Sequence, residues 1–261
     1  MTYAFIGLGN MASAIIRGMR ACAGFQDAVI RGFDRHPEKA SGLSLEFCPD
    51  LEELTGSADI LLLCVKPHSL EELLGRLKPL LKPGLIVASV AAGKPIAWYE
   101  ERLPGVPFVR TMPNINARVN AGTTAICGGS LAAPEQVALV KAVFDAVGST
   151  YELEEKHFSV FSAIAGAAPA YTYLYMDALA SAGVKAGLPK ATALSVAEDM
   201  VLGSAKMLRE SGEHPAALAD RVCSPGGTTI EGLHELRAHG FESAVYAAIA
   251  AVIKKDSSLG G

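Results

Sequence analysis

The feature that most constrains the fold of this chain is a change of pattern a little past its midpoint. In the first part, short apolar runs alternate with amphipathic stretches of helical period, and Pro, Gly or Asp residues separate them. This alternation predicts a doubly wound, mostly parallel sheet with helices on its faces. After about Glu154 the strand patterns stop and Ala-rich helical patterns follow. We therefore expect an α/β domain over residues 1–152 and an all-α domain over residues 153–261.

The same patterns give the bounds of the expected elements. Strands are predicted at 3–6, 28–33, 60–65, 85–90, 107–111, 123–127 and 149–152. Helices of the first domain are predicted at 10–22, 37–42, 69–80, 95–101 and 134–147. Helices of the second domain are predicted at 154–164, 167–186, 190–211, 215–222, 229–238 and 241–254.

The first predicted strand leads directly into a Gly-x-Gly-x-x-Ala sequence that is followed by a helical pattern. Gly7 permits a tight turn, Gly9 lets the backbone approach a pyrophosphate, and Ala12 allows the helix to pack closely on the strand. The pattern alone is weak, but its place between a strand and a helix predicts a Rossmann-like dinucleotide site. The candidate cofactor-binding residues of this loop are Gly7, Leu8, Gly9, Asn10, Met11 and Ala12.

An acidic and a basic residue follow the second predicted strand. Asp34 lies 22 residues after Ala12, where a carboxylate can accept hydrogen bonds from the adenosine ribose of NAD. Its neighbour Arg35 can pair with the 2′-phosphate of NADP or stack on adenine. Both are candidate cofactor-binding residues, and because they favour opposite cofactors the choice between NADPH and NADH stays open. The alternative is a solvated turn in which Asp34 caps a helix.

Three further strands end in residues suited to the same site, because ligands of open α/β sheets bind outside the carboxyl ends of the strands. Lys66 can meet a phosphate or a substrate carboxylate, the small residues after residue 90 leave room for a nicotinamide, and Asn114 can bond its carboxamide or ribose. A surface lysine and a turn asparagine are the plain alternatives. The candidate cofactor-binding residues at these ends are Val65, Lys66, Pro67, Ala91, Ala92 and Asn114.

A second candidate binding element lies near the C-terminal end, where residues 224–229 read Ser-Pro-Gly-Gly-Thr-Thr. Two adjacent glycines let backbone N–H groups converge, and a helix that begins just beyond adds its positive dipole end. The turn therefore predicts a site for a carboxylate or a phosphate, with hydroxyl groups as directional partners. A Gly-rich turn with a Thr N-cap is the alternative.

Composition excludes several other classes of protein. A net charge of −4 and the lack of a Lys/Arg cluster argue against nucleic acid as a partner. The five cysteines are scattered without C-x-x-C spacing, which suits a reducing compartment and predicts neither a metal site nor a disulfide framework. No apolar run is long enough for a membrane span, and the N-terminal strand does not resemble a signal peptide. We expect a cytoplasmic protein with a small-molecule substrate and no metal, nucleic acid or membrane partner.

The ordered set of motifs resembles the pyrroline-5-carboxylate reductase family, whose members catalyse the last step of proline synthesis. The resemblance covers nearly the whole chain, and its last motif is like the most specific sequence of the family. The motifs that carry it are, in chain order, Phe5–Ala12, Val65–Pro67, Ala91–Gly93, Val109–Asn114, Pro169–Tyr171, Gly183–Pro189, His214–Pro215 and Ser224–Thr229.

The resemblance implies an NAD(P)H-dependent reduction of the cyclic imine L-1-pyrroline-5-carboxylate to L-proline. It implies that Thr229 hydrogen-bonds the ring nitrogen, and that Ser224 holds the substrate carboxylate with the backbone around Gly227 and Thr228. Ser224 and Thr229 are therefore the candidate catalytic residues, and Gly227, Thr228 and Lys66 the candidate substrate-binding residues. No ionisable acid–base pair is needed, because a hydroxyl group and an ordered water can relay one proton.

One stretch departs from the family pattern. Where the family usually has Ser-Gly-Ser-Gly-Pro-Ala-Tyr, this chain has Ala165 and Ala167 in place of the serines and Ala168 in place of the glycine. Two alternatives therefore stay open: a reductase of a related cyclic imino acid, or a non-catalytic NAD(P)-binding regulatory paralogue. A β-hydroxyacid dehydrogenase is disfavoured, because the lysine expected early in its helical domain is absent.

Three of the predicted helices, 167–186, 190–211 and 241–254, are apolar over wide faces. A domain of this size does not bury that much surface by itself. The resemblance implies a homodimer with interleaved C-terminal helices and allows a decamer of such dimers. In this arrangement the site combines the cofactor of one subunit with the Ser224–Thr229 turn of the other. The alternative is a compact bundle within one chain.

Overall fold

A computed structural model describes residues 1–259 of the chain. Internal contacts divide the chain into two compact units, Met1–Gly166 together with the chain from Val252 onward, and Ala167–Ala251. We call these the sheet unit and the helical unit. The domain boundary at residue 152 stays a prediction. The division by internal contacts comes later, at Gly166, after a further short helical segment.

The sheet unit is built on one sheet of eight strands in the order β3-β2-β1-β4-β5-β6-β7-β8. The strands are β1 (Thr2–Ile6), β2 (Val29–Phe33), β3 (Glu46–Phe47), β4 (Ile60–Leu63), β5 (Ile86–Ser89), β6 (Phe108–Pro113), β7 (Gly122–Gly128) and β8 (Gly148–Glu152). All seven predicted strands are confirmed, and the two-residue edge strand β3 is an addition. Among the strands of residues 1–259, only β6 and β7 pair antiparallel. The short connection between them is the reason, because a parallel pair needs a long crossover.

The sheet unit has six α-helices within residues 1–166, of which the first five connect strands and the sixth follows β8. They are α1 (Asn10–Ala21), α2 (Leu51–Gly56), α3 (Leu70–Leu77), α4 (Ile96–Arg102), α5 (Pro134–Asp145) and α6 (Phe158–Phe161). The predicted helix at 37–42 is a 3₁₀ turn at Pro37–Ala40, and α2 was too short to produce a periodic pattern. The Asp50 carboxylate accepts the Glu53 N–H at 2.8 Å and so caps α2.

Two apolar layers cover the two faces of the sheet. Along β1, Tyr3 and Phe5 belong to one layer, whereas Ala4 and Ile6 belong to the other. The alternation follows from strand geometry, and the central strands are apolar throughout because both of their faces are covered. Helices α1 and α5 complete the first layer, and α2, α3 and α4 complete the second. The sheet unit therefore buries its apolar core between its own strands and helices.

The helical unit has a different character. It contains α7 (Ala168–Lys185), α8 (Lys190–Ser211), α9 (Pro215–Val222), α10 (Thr228–Ala238) and most of α11 (Phe241–Leu259). These bounds confirm the predicted helices, except that 154–164 divides into a 3₁₀ turn, α6 and a π-helical turn at Ser162–Ala167. Within residues 167–251, only Ala180, Ala193 and Ala197 are buried. No helix of residues 1–259 is long and apolar enough to cross a membrane.

Candidate active site

The glycine-rich loop between β1 and α1 is shaped to receive a phosphate group. Gly7 has a φ of +89°, its N–H donates to the Phe33 carbonyl at 2.8 Å, and a Cβ there would lie 2.9 Å from the Cys64 carbonyl oxygen. Gly9 precedes α1 without a side-chain cap, and a Cβ on it would meet no described atom within 4 Å. The free N–H groups at the start of α1 therefore face open space, where anions bind. The loop fits the pyrophosphate of a dinucleotide.

The side chains of this loop are unequally accessible. Leu8 and Ala12 are buried in the core, so any contact they make with a cofactor is through the backbone. Met11 packs partly buried against the same apolar layer, whereas Asn10 is exposed at the first position of α1. Some residues of the Gly-x-Gly-x-x-Ala sequence therefore pack α1 against the sheet, and others are available to contact a ligand.

Asp34 directly follows β2 and is 9% exposed. Its Oδ2 accepts the Leu8 N–H at 2.8 Å, its Oδ1 accepts the His36 N–H at 2.9 Å, and Lys39 Nζ lies 3.2 Å from Oδ1. Burial by itself raises the pKa of this carboxyl group. The hydrogen bonds from the two backbone N–H groups and the Lys39 ammonium outweigh it and hold the pKa below its usual value. Asp34 is therefore ionised and ties the glycine-rich loop to the turn after β2.

Six of the predicted cofactor residues line one cleft of the sheet unit, of about 270 Å³: Gly7, Gly9, Asp34, Arg35, Val65 and Lys66. Charged and polar side chains outside the predicted set line it as well: His36, Lys39, His68, Ser69, Glu72 and Arg76. His36 and Lys39 lie in the charged run after β2, which is a signal in the sequence. Arg76 comes from α3, and no motif connects it with the loop.

The buried hydroxyl groups of Ser89 and Tyr99 stabilise the turn after β5. The Ala91 N–H donates to Ser89 Oγ at 3.2 Å, and Ser89 Oγ lies 2.9 Å from the Tyr99 hydroxyl. Burial raises the pKa of Tyr99, so this hydroxyl keeps its proton. Ala91 is buried and Ala92 is exposed. The turn thus presents a small side chain at the carboxyl end of β5, which leaves space for a flat ring.

Asn114 follows β6, and both sides of its buried amide are engaged. Its Nδ2 donates to the Ala165 carbonyl at 2.9 Å, and its Oδ1 accepts the Thr123 N–H at 3.0 Å. The side chain therefore joins the end of β6 to β7 and to the π-helical turn. Its role as a cofactor ligand stays a prediction, and one amide N–H is left for it.

A partly buried ion pair joins β6 to the segment that follows β8. Arg110 Nη1 lies 2.7 Å from Glu155 Oε1, and the guanidinium lies 4.6 Å from the centre of the Phe158 ring. The same carboxylate oxygen accepts the Ile96 N–H at 2.7 Å and so caps α4. The partners are 45 residues apart, and no spacing in the sequence identifies them.

The Ser224–Thr229 turn belongs to the helical unit and connects α9 with α10. Gly226 has a φ of +68°, and the Gly227 N–H donates to the Ser224 carbonyl at 3.0 Å. Gly227 precedes α10 without a side-chain cap, and a Cβ on it would overlap Ser224 Oγ. Thr228 and Thr229 are the first two residues of α10 and are exposed. The turn thus offers uncapped N–H groups and three hydroxyl groups together, as an anion site requires.

Comparisons with known proteins agree with this geometry. A family model described as pyrroline-5-carboxylate reductase dimerisation matches residues 155–259, and one described as NADP oxidoreductase, coenzyme F420-dependent, matches residues 2–93. Pyrroline-5-carboxylate reductases of Synechocystis and Glycine max are 37% and 35% identical to this chain. Those alignments cover 98% and 99% of this chain and 97% and 96% of the relatives. The chain belongs to the pyrroline-5-carboxylate reductase family.

Solved structures of pyrroline-5-carboxylate reductases share its fold. The structure from Coxiella burnetii superposes with a TM-score of 0.94 at 30% identity. The structure from Streptococcus pyogenes superposes with a TM-score of 0.87 at 38% identity. Each comparison covers 99% of this chain and 98% of the other. A Plasmodium falciparum relative, 28% identical with a TM-score of 0.87 over 100% of this chain and 98% of its own, was solved with NADP bound. The matches confirm the predicted family, the fold class and an oxidoreductase with a nicotinamide cofactor. The roles of single site residues stay predictions.

Proposed function

We propose that this protein reduces L-1-pyrroline-5-carboxylate to L-proline with NADPH or NADH as the hydride donor. The observation that carries the proposal is the presence of two different anion-binding elements in one chain of this family. One is the open glycine-rich loop at the start of α1, and the other is the uncapped turn before α10. The first suits a dinucleotide and the second suits the carboxylate of a small imino acid.

The sheet unit would hold the cofactor. Gly9 and the first turn of α1 would bind the pyrophosphate, the residues after β2 would bind the adenosine half, and Ala91 and Ala92 would lie against the nicotinamide. Lys66, exposed after β4, would bind a phosphate or the substrate carboxylate. When bound, the reduced nicotinamide supplies the hydride for the carbon of the C=N bond.

The Ser224–Thr229 turn would hold the substrate. Backbone N–H groups of Gly227 and Thr228, with the Ser224 hydroxyl, would bind the carboxylate at the positive end of α10. The Thr229 hydroxyl would hydrogen-bond the ring nitrogen, which must gain one proton, and an ordered water can relay it. A carboxylate fixed in this way orients the ring, and orientation supplies much of the rate gain in a reaction of this kind.

The protein would work as a homodimer with interleaved C-terminal helices, in which the turn of one subunit meets the cofactor of the other. Support comes from the match of residues 155–259 to a dimerisation model and from large exposed side chains in the helical unit. Leu174 and Leu202 are each 70% exposed, and Tyr246 is 73% exposed. Assembly of dimers into a decamer and a cytoplasmic location belong to the same proposal.

The test is turnover of pyrroline-5-carboxylate by the purified full chain, followed through loss of the reduced-nicotinamide absorbance. We expect turnover with at least one of the two cofactors. Thr229→Ala should lower kcat by roughly 10- to 100-fold, because it removes a hydrogen bond to a charged group in the transition state. Thr228→Ala is the matched control and should keep most of the activity, since Thr228 acts through its N–H. No turnover with either cofactor overturns the proposal, and an unchanged Thr229→Ala removes that residue from its role.

A second candidate function is the reduction of a related cyclic imino acid, favoured by the alanines at 165, 167 and 168. If absent serine hydroxyl groups alter the substrate pocket, a six-membered cyclic imine will be turned over with the higher kcat/KM. Equal assays of the five- and six-membered rings decide between the two substrates. A regulatory paralogue would instead bind the dinucleotide and turn over neither ring.

A further inference from the structure

The turn between β5 and α4 is the segment against which the proposed function places the nicotinamide. Its residues 90–95 read Val-Ala-Ala-Gly-Lys-Pro, and Ala91 is buried whereas Ala92 is exposed. Alanine and glycine have no long side chain to hold a ring, so the position of the backbone of the turn decides where the ring lies. Hydride transfer is sensitive to that position, because a displacement of about 1 Å can lower a rate by roughly 100-fold. The groups that fix the two ends of the turn therefore matter for the reaction.

Hydrogen bonds beside the sheet fix the first end of the turn. Ser89, the last residue of β5, is 1% exposed. Its carbonyl accepts the Thr111 hydroxyl at 2.9 Å, and its own Oγ accepts the Ala91 N–H at 3.2 Å. The Tyr99 hydroxyl lies 2.9 Å from the same Oγ, and the Tyr99 ring stacks on Phe108 with 4.1 Å between the ring centres. These partners come from the neighbouring strand and from α4 itself.

A residue from much further along the chain fixes the second end. The Ile96 N–H, at the first position of α4, donates to Glu155 Oε1 at 2.7 Å. The first N–H groups of a helix have no partner within it, and the preceding Pro95 supplies no side-chain cap. A carboxylate is favoured at that place, because the helix dipole is positive there. Glu155 therefore takes the place of a local cap, although 59 residues separate it from Ile96.

Arg110 holds the Glu155 carboxylate at this position. Arg110 and Ser89 are paired in register between β6 and β5, so their side chains point to the same face of the sheet. Arg110 Nη1 lies 2.7 Å from Glu155 Oε1, and the two side chains are 10% and 32% exposed. The guanidinium also lies 4.6 Å from the centre of the Phe158 ring, which belongs to α6. One carboxylate oxygen thus joins β6, the start of α4 and the segment after β8.

We propose that Glu155 is a positioning residue for the nicotinamide. Glu155 touches neither cofactor nor substrate; it acts through the Ile96 N–H and so sets where the turn at 90–95 lies at the carboxyl end of β5. The inference rests on the proposed function only in that the nicotinamide of a dinucleotide lies against this turn. The adenosine half belongs to the glycine-rich loop and the residues after β2 in that function. Loss of the cap should therefore disturb one half of the cofactor and spare the other.

Ligand binding tests the role without catalysis. NADH and ADP-ribose share the adenosine half and the pyrophosphate, and of the two only NADH carries the nicotinamide ring. Calorimetry on the full chain measures the affinity for each. Glu155→Ala should weaken binding of NADH several-fold and leave the affinity for ADP-ribose unchanged, because it removes a hydrogen bond that holds the turn beneath the ring. An unchanged affinity for NADH overturns the proposal, and so do equal losses for the two ligands, which would mean a general structural role.

Turnover gives a second readout. In Glu155→Ala, kcat with pyrroline-5-carboxylate should fall by roughly 10- to 100-fold, because the ring no longer lies at its reacting distance. Glu154→Ala is the matched control, since Glu154 is exposed and pairs with Lys156 at 2.7 Å. The control should keep the kcat and both affinities of the unaltered protein. An unchanged kcat in Glu155→Ala overturns the role.

Two further variants separate the cap from the ion pair. Glu155→Gln keeps an oxygen that accepts the Ile96 N–H, so it should recover most of the kcat and of the affinity for NADH. Glu155→Ala leaves the Arg110 cation without its carboxylate, which destabilises the fold. The double variant Arg110→Met with Glu155→Ala removes that unpaired charge but not the missing cap, so it should fold and keep the low kcat. A restored kcat in the double variant overturns the cap, as does a Glu155→Gln variant as slow as Glu155→Ala.

Hydrogen exchange observes the cap directly. In protein free of nucleotide, the Ile96 amide should exchange with solvent slowly, and Glu155→Ala and the double variant should accelerate that exchange. Glu155→Gln and Glu154→Ala should leave it close to the rate of the unaltered protein. An Ile96 amide that exchanges at the same rate in Glu155→Ala overturns the cap.

The outcomes distinguish a failure of this inference from a failure of the proposed function. A selective loss of affinity for NADH in Glu155→Ala, without turnover of any cyclic imine by the unaltered protein, supports the role and overturns the reaction. Turnover at equal kcat by the unaltered protein and by Glu155→Ala supports the reaction and overturns the role. If the unaltered protein binds no nicotinamide dinucleotide, both are overturned.

Discussion

The two units of this protein differ in how much apolar surface each one buries within the chain. In the sheet unit, large side chains such as Phe5, Leu62 and Phe144 are completely buried between the sheet and its helices. In the helical unit the buried residues are three alanines, whereas Leu174 and Leu202 are 70% exposed. Burying a leucine contributes about 1.5–3 kcal/mol, so the exposed faces represent a large unused contribution. The first unit buries its large apolar side chains within one chain, whereas the second leaves many of them exposed.

The candidate site residues follow the same division. Gly7 and Asp34 are held by contacts far along the chain, to Phe33 and Leu8, within a closed core. The Ser224–Thr229 turn is held by a local bond between Gly227 and Ser224. We infer that cofactor binding depends on the core of one chain, whereas substrate binding depends on assembly.

The largest effect should come from a charge on the exposed face of the helical unit. Leu202→Glu costs little in a separate chain, but in a dimer it buries an uncompensated carboxylate in each copy. Such a change costs several kcal/mol, so dimer affinity should fall by roughly 100-fold or more. Sedimentation velocity and turnover should show dissociation and loss of activity together.

The matched control for this change lies in the sheet unit. Leu131 is 52% exposed, and Leu131→Glu should leave the assembly and the turnover intact. If Leu202→Glu remains an active oligomer of unchanged affinity, that face of α8 is not covered by a second copy.

A smaller effect is expected from truncation within the sheet unit. Leu62 in β4 is 0% exposed, and Leu62→Ala should lower the free energy of unfolding by about 2–5 kcal/mol. Leu174→Ala removes the same group from an exposed position of α7. Urea unfolding at two protein concentrations distinguishes them, because Leu62→Ala should act equally at both. Leu174→Ala should lower the free energy of unfolding only at the concentration where the chains associate. An equal loss at both concentrations would contradict the difference in burial between the two units.

Glycines at positive φ offer a third comparison. Gly226→Ala places a side chain in open space at a φ of +68°, which costs about 1–2 kcal/mol. Gly7→Ala adds an overlap with the Cys64 carbonyl and should cost more. Thermal unfolding measures both costs. Only Gly7→Ala should weaken binding of adenosine 5′-monophosphate. A larger loss of stability in Gly226→Ala than in Gly7→Ala would mean that the glycine of the helical unit is the more constrained of the two.

The smallest effect is a dependence of stability on pH in the sheet unit. The pKa of Asp34 in the folded chain lies below its unfolded value of about 4, so its contribution is fully present above that pH. It is lost as the pH falls through the folded pKa. The difference in unfolding free energy between the wild type and Asp34→Asn should therefore shrink below about pH 4. A difference that stays constant to lower pH would mean that the carboxylate adds no stability through its charge.

Much of the fold could be predicted from the sequence, because its local patterns and its packing agree. Seven strands follow from apolar runs, and α8 occupies Lys190–Ser211 as its pattern predicts. The elements that were missed are short: β3 has two residues and α2 has six. Such segments are stabilised by their neighbours and carry no period of their own.

The candidate site was predictable where a residue acts through backbone geometry. Gly7 occupies a turn at positive φ where a side chain would also overlap the Cys64 carbonyl, and a side chain on Gly227 would overlap Ser224. Gly9 directly precedes α1. The sequence displays all three glycines directly. It was not predictable where a side chain finds a distant partner. Arg76 in the cofactor cleft and the Arg110–Glu155 ion pair depend on segments that meet only after folding.

The sequence by itself determined the order of the elements, the strand–loop–helix at the N-terminal end and the Gly-rich turn before α10. The period of the apolar residues and the positions of the glycines are local properties of the sequence, and they do not depend on how the elements pack. The tertiary structure decided what Asp34 does, because its partners Leu8 and Lys39 are set by packing of β1 against β2 and by the following turn. It also decided which apolar side chains are covered, since burial is a property of the folded surface and not of a residue type.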